Sequence, residues 1–103
     1  MFKYIIYQIK DIEACDYAFR DYDSKKFSLL KDYNRIYEQD IPGEIIDNKA
    51  FDIELCEKLF EIFNINKPAD FTGHSLSVSD IIEINSDGHR KLYYCNSLGW
   101  KRI

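Results

Sequence analysis

The chain's 103 residues predict an α+β domain: a small curled sheet, mixed or antiparallel, with one main helix over about 52–64 packed on it and a C-terminal β-hairpin. Three observations predict it. Phe2 to Lys10 is rich in β-branched and aromatic residues with bulk at both parities, which suits a strand buried on both faces and central in its sheet. Cys56, Leu59, Phe60 and Phe63 recur at helical spacing. Near the end, Ile81–Ile84 and Lys91–Asn96 flank Asn85-Ser86-Asp87-Gly88, a polar connection with a glycine that reads as a hairpin turn.

The elements follow in order. Asp11 ends the first strand. Glu13 to Phe19 predicts a short helix with Cys15, Ala18 and Phe19 on one side, and Phe27 to Lys31 a helical turn. Tyr33 to Glu38 alternates Tyr33, Arg35 and Tyr37 against Asn34 and Ile36, a short strand that Pro42-Gly43 closes. Phe51 to Phe63 is the clearest helix: Asp52 caps it, Glu54 and Glu57 lie toward its positive end, and Leu55 and Ile62 widen the apolar stripe. Asn64 suits the far cap and Pro68 blocks continuation.

In the segment before the hairpin, Leu76, Val78, Ile82 and Ile84 share one parity, and Asp80 intrudes on it. A carboxylate is costly in an apolar core, so Ser79-Asp80 predicts a corner or bulge that re-aims the chain, with the ladder beginning near Ile81. Leu98-Gly99-Trp100 continues the sheet after a bend at Gly99.

Composition narrows the function classes. Residues 1–103 make one domain by length, and an aromatic fraction of 16% supplies bulk for a core. Eighteen acidic residues against 14 basic ones give a net charge of −4, which does not favour a general grip on phosphate backbones. Cys15, Cys56 and Cys95 lie about 40 residues apart without metal-type spacing, so neither a disulfide framework nor a zinc site is expected. Met1 to Lys10 is too short and polar for a signal sequence, and no run reaches the roughly 20 apolar residues of a membrane span. A reducing cytoplasm, with no membrane partner, is the expected setting.

Each constellation that could carry chemistry has a simpler explanation. His74, Ser75 and Asp80 contain the residue types of a hydrolase triad, but no nucleophile-elbow pattern surrounds them, and serines at 75, 77 and 79 suit backbone capping at an irregular strand start. His74, His89, Asp80 and Asp87 contain metal-ligating types, but the two histidines flank a hairpin 15 positions apart. Cys56 and Cys95 sit at positions expected to be buried and inert. No catalytic set, metal or cofactor is therefore expected. Arg90, Lys91, Tyr93, Lys101 and Arg102, with Tyr94 and Trp100 among them, form the one locally basic, aromatic-interleaved stretch, the pattern single-stranded nucleic-acid binding uses. The competing reading packs Tyr94 and Trp100 on the helix while the cations snorkel.

Tyr7-Gln8-Ile9, Tyr33 to Tyr37, Leu59-Phe60-Glu61-Ile62-Phe63-Asn64, Pro68-Ala69-Asp70-Phe71, the His74-Ser75-Leu76-Ser77-Val78-Ser79-Asp80 run and Tyr93-Tyr94-Cys95-Asn96-Ser97-Leu98-Gly99-Trp100 together resemble the YodL-like domain, a small bacterial module of mobile elements and phages. The resemblance covers nearly the whole chain. Asn96 stands where that pattern more usually has Asp, and Trp100 where it has Phe. The resemblance implies an accessory role in mobile-element biology and transfers no activity. The expectation is a non-enzymatic interaction module that binds a host or element-encoded protein and inhibits it by covering a surface, with His74, Ser77, Ser79, Asp80, Asn96 and Trp100 as exposed contact residues. The alternative is a single-stranded nucleic-acid binder working through residues 90–102.

Overall fold

A computed structural model describes residues 2–41 and 49–103. Five strands form one open antiparallel sheet in the order β2-β1-β3-β4-β5: β1 (Phe2–Ile9), β2 (Tyr33–Ile41), β3 (Ile81–Ser86), β4 (His89–Asn96) and β5 (Gly99–Arg102). A four-residue helix α1 (Leu29–Asp32) precedes β2, and the main helix α2 (Lys49–Ile65) lies between β2 and β3. The architecture is the expected α+β one. Every strand pair is antiparallel, and the sheet stays open with β2 and β5 at its edges.

β1 takes the interior place its sequence predicts, between β2 and β3. One sheet face carries Tyr4, Ile6, Ile82, Ile84 and Tyr93, and Cys56, Leu59 and Phe63 of α2 bury against them. Full burial of a Leu or Phe side chain stabilises by about 2 kcal/mol, so this face anchors the helix. The Phe63 ring meets Phe71 at 4.7 Å and Tyr37 at 5.4 Å between centroids, both edge-on.

The other face has a core of its own: Ile9, Tyr17, Tyr33, Ile81 and Tyr94, with Tyr22 and Phe27 against them. Turns, not a helix, form 12–19. Tyr17 is the residue that buries there, while Phe19 stays 51% exposed with a positive φ of 63°. The segment's polar bonds explain the departure. The Tyr17 hydroxyl donates to Asp32 at 2.6 Å and accepts from the Ser28 amide at 3.2 Å, which a helix over 13–19 would not aim correctly.

Three more expectations change. The register shifts between Ile6 and Tyr7, so Arg35 pairs with Tyr7 but Tyr37 with Ile6, and a bulge at Ile36 puts Tyr37 on the face opposite Tyr33. Asp52 is no cap, because α2 already runs from Lys49; it is buried and accepts from the Tyr93 hydroxyl at 2.9 Å, with the Lys91 ammonium at 2.6 Å. Asn64 lies inside the last turn, its side-chain amide donating to the Phe60 carbonyl. The Pro42-Gly43 turn lies outside the described residues.

At the hairpin, Asp87 and Gly88 have φ of 50° and 90°, both left-handed, the geometry of a two-residue turn that matches the strand twist. After Asn96 the chain turns through Ser97-Leu98, and Gly99 opens β5, so the bend expected at Gly99 is a second hairpin.

Candidate functional site

The polar residues of the 73–80 run converge on Gln8. The Gln8 side chain accepts from the His74 amide at 3.2 Å and donates to the His74 carbonyl at 2.8 Å, pairing with that residue as a neighbouring strand would. Its amide also donates to Asp80 Oδ2 at 3.1 Å, and the Ser77 backbone N–H donates to the same oxygen at 2.9 Å. Asp80 is therefore not re-aimed to solvent. The bulge exists, but the carboxylate stays inside and is met by donors. Burial pushes its pKa up to about 7, against the lowering effect of the Ser77 amide, the nearby His74 and Gln8.

Ser79 builds the bulge. Its amide donates to the Cys95 carbonyl at 2.8 Å while the Cys95 amide donates to Asp80 at 2.9 Å, so two residues oppose one, and Ser79 has a φ of 82°. A non-glycine residue in that region is strained, and its bonds hold it there: Oγ accepts from the Phe19 amide at 3.0 Å and the carbonyl from the Tyr33 hydroxyl at 2.6 Å. Ser79 and Asp80 are both buried, contrary to the exposure expected of them. His74 is exposed, and its ring lies 6.4 Å from that of Phe19.

The 93–100 run ties down the same loop. Asn96 Oδ1 accepts from the Tyr22 amide at 2.9 Å, the Tyr94 hydroxyl donates to the Arg20 carbonyl at 2.7 Å, and Ser97 donates through its amide and hydroxyl to Asp21. Asn96 uses its amide oxygen here, and a carboxylate at that position would accept from the same backbone N–H.

Beyond these clasps lies a cleft between α2 and the β4–β5 turn, about 230 Å³, lined by Glu57, Phe60, Cys95, Asn96, Ser97, Gly99 and Trp100. Phe60 and Trp100 meet edge-on at 6.3 Å. Between the lining residues Ser97 and Gly99, Leu98 is 99% exposed on the two-residue turn. Cys95 is buried, and burial pushes its thiol up to about 12, away from the reactive thiolate form.

A family profile described as the YodL-like domain matches residues 3–103. The chain belongs to the YodL-like domain family. No curated protein and no solved structure matches it.

In this YodL-like domain the structure separates several residues that the sequence groups. His74 sits beside Gln8, while His89 pairs with Ser86, which pairs with Phe2 at the other end of β1. Six strand positions put the two histidines about 20 Å apart. Among the described residues no hydrogen bond joins the Ser75 hydroxyl to His74, whose Nδ1 lies 2.7 Å from the Ser75 carbonyl. The basic stretch divides between two faces. Arg90 and Lys101 share the face of Tyr94, with Arg90 on Glu83 and Lys101 over the Tyr22 ring at 6.0 Å. Lys91 and Arg102 share the other face, with Lys91 on Asp52 and Arg102 over the buried Tyr93 ring at 6.0 Å. Among the described residues no helix is long and apolar enough to cross a membrane.

Glu83 carries the largest polar cluster that sequence reasoning missed. It is 1% exposed, and accepts from Tyr7 at 2.8 Å, from Arg90 at 2.9 Å and 3.1 Å, and from Asn85 at 3.2 Å. Burial raises its pKa, but the bonds from Arg90, Tyr7 and Asn85 outweigh that and hold it below the usual carboxylate range. A lowered folded pKa stabilises above the unfolded value and is lost as pH falls through the folded one. Glu83→Gln is therefore expected to cost about 1–2 kcal/mol in denaturant unfolding at pH 7 and less at pH 3, the loss shrinking as pH falls toward the lowered folded value. Equal losses at both pH values would remove the charge from the account. The missed contributors to the cleft, Glu57 and Phe60, carried no signal beyond helical spacing.

Proposed function

We propose that this YodL-like domain is a non-enzymatic interaction module, an accessory of a mobile genetic element or phage that binds a host or element-encoded protein and acts by occluding a surface. One observation carries the reading: Leu98 is fully presented to solvent on a tight turn, beside a cleft with Phe60 and Trp100 in its wall. An apolar side chain presented on a two-residue turn between paired strands has little backbone freedom to lose on binding, which suits an interface anchor. The division of labour supports it too. Asp80, Ser79 and Asn96 spend their polar groups on the chain's own backbone, leaving Leu98 and the exposed Phe19–His74 pair as outward features, with Trp100 half-buried in the cleft wall.

The test uses the intact chain as bait beside Leu98→Asp and Trp100→Ala. Wild type is expected to retain a stoichiometric partner, and Leu98→Asp to lose at least 30-fold in affinity, the effect of about 2 kcal/mol at a hot spot. Its stability should stay within about 0.5 kcal/mol of wild type, as for an exposed position. A partner that binds Leu98→Asp equally well would remove the anchor. The nucleic-acid alternative rests on the cation–aromatic contacts of Lys101 and Arg102. Unchanged Trp100 fluorescence on adding an oligonucleotide at low salt would dismiss it.

A further inference from the structure

Resting on the interaction reading above, we infer that the Phe60–Trp100 cleft takes a cationic side chain, an arginine or lysine of a partner polypeptide, with its aliphatic stem on Trp100 and its charged head at Glu57. The cleft has the size for one side chain: about 230 Å³ lies below the roughly 300–1,000 Å³ of drug-sized sites. Its chemistry has two ends. Phe60 and Trp100 supply an apolar, π-rich wall, and an indole face is the best aromatic surface for a cation. Glu57 is exposed, lines the cleft and makes no hydrogen bond or ion pair among the described residues, so its carboxylate is available. Two other polar side chains there are already engaged. Asn96 Oδ1 holds the Tyr22 amide, and Ser97 donates to Asp21.

Charge complementarity favours a cation over an anion or a neutral apolar group. The cations on β5 are engaged elsewhere: Lys101 is on the opposite sheet face over Tyr22, and Arg102, on the face of Trp100, lies over the Tyr93 ring. The chain's net charge of −4 steers a basic partner toward it. β5 is also an outer strand, with β4 as its one sheet neighbour among the described residues, so an extended segment can lie alongside and deliver the side chain.

The experiment selects a random dodecapeptide display library on the intact chain, with Glu57→Gln and Trp100→Ala as counter-targets. The expected result is enrichment of sequences with Arg or Lys at one shared position, whose affinity falls at least tenfold on Glu57→Gln and on substituting that residue by citrulline or norleucine. Thermal melts of Glu57→Gln should match wild type. Peptides that need Trp100 but show no cation, or that bind Glu57→Gln equally, overturn the cationic assignment while the interaction reading stands. If no enriched peptide depends on Trp100, the cleft is not a recognition site. A partner lost with Leu98→Asp would still support the wider reading, so the two failures are distinguishable.

Discussion

Gly73→Ala is expected to destabilise the chain by about 3 kcal/mol, a fall in Tm of about 15 °C. A Cβ built at Gly73 meets Gln8 Oε1 at 2.3 Å, Ile36 Cγ2 at 2.8 Å and Phe71 Cζ at 2.8 Å, all closer than real side chains tolerate. None of the three can yield cheaply. Gln8 is fixed by its bonds to His74 and Asp80, Ile36 sits at the β2 bulge, and Phe71 packs edge-on to Phe63. The demand is for space and not for backbone freedom, since Gly73 lies outside the left-handed region. Gly88 is the contrast. It has a φ of 90° and nothing within 4 Å of its Cβ position, so Gly88→Ala should cost only the strain of a left-handed residue, about 1 kcal/mol. Denaturant unfolding of the two variants side by side checks both numbers. A Gly73→Ala chain no weaker than Gly88→Ala would mean that the 71–74 segment rearranges freely.

Raising the pH from about 4 to about 7 is expected to weaken the fold through Asp80. Its pKa is pushed up from the model-peptide 3.8 to about 7 by burial, so the folded state holds a proton that the unfolded chain releases. A carboxyl with a raised folded pKa costs nothing below the unfolded value. It opposes folding increasingly as pH climbs to the folded value, with a ceiling on the order of 4 kcal/mol. Glu83 acts with the opposite sign in acid, so the two carboxyls together place the stability optimum well on the acid side of neutral. Asp80→Asn keeps an acceptor for the Ser77 and Gln8 donors without the charge. Its unfolding free energy should be flat across this window and exceed wild type by at least about 1 kcal/mol at pH 8. Parallel pH profiles for the two chains would show that Asp80 is hydrated when ionised and that burial does not govern it.

The periodic elements were legible because their signals are local. Two-sided bulk placed β1 inside the sheet, the stripe through Cys56, Leu59 and Phe63 placed the helix, and Asp87-Gly88 placed the hairpin. Segments without periodicity were not. The 12–19 stretch has helix-compatible residues, but its conformation follows from Tyr17 reaching Asp32 and from Phe19 bonding Ser79, contacts that no local pattern contains. The contact residues were legible only in part. Ser79 and Asp80 stood out correctly as unusual, but the reason was the bulge they form, and they are buried in it.

By itself, the sequence determined family, fold class and the order of the main elements, since side-chain periods of 2 and 3.6 are written residue by residue. The tertiary structure alone decided which polar groups meet. Gln8 reaches His74 and Asp80 across 66 and 72 positions, and Asn96 reaches Tyr22 across 74. Such pairings depend on strand register, and one bulged residue at Ile36 turns Tyr37 to the other face. The fate of a buried carboxylate and the presentation of Leu98 are set by that register, because only neighbours brought in from distant chain positions supply the donors, or leave the open water, that each requires.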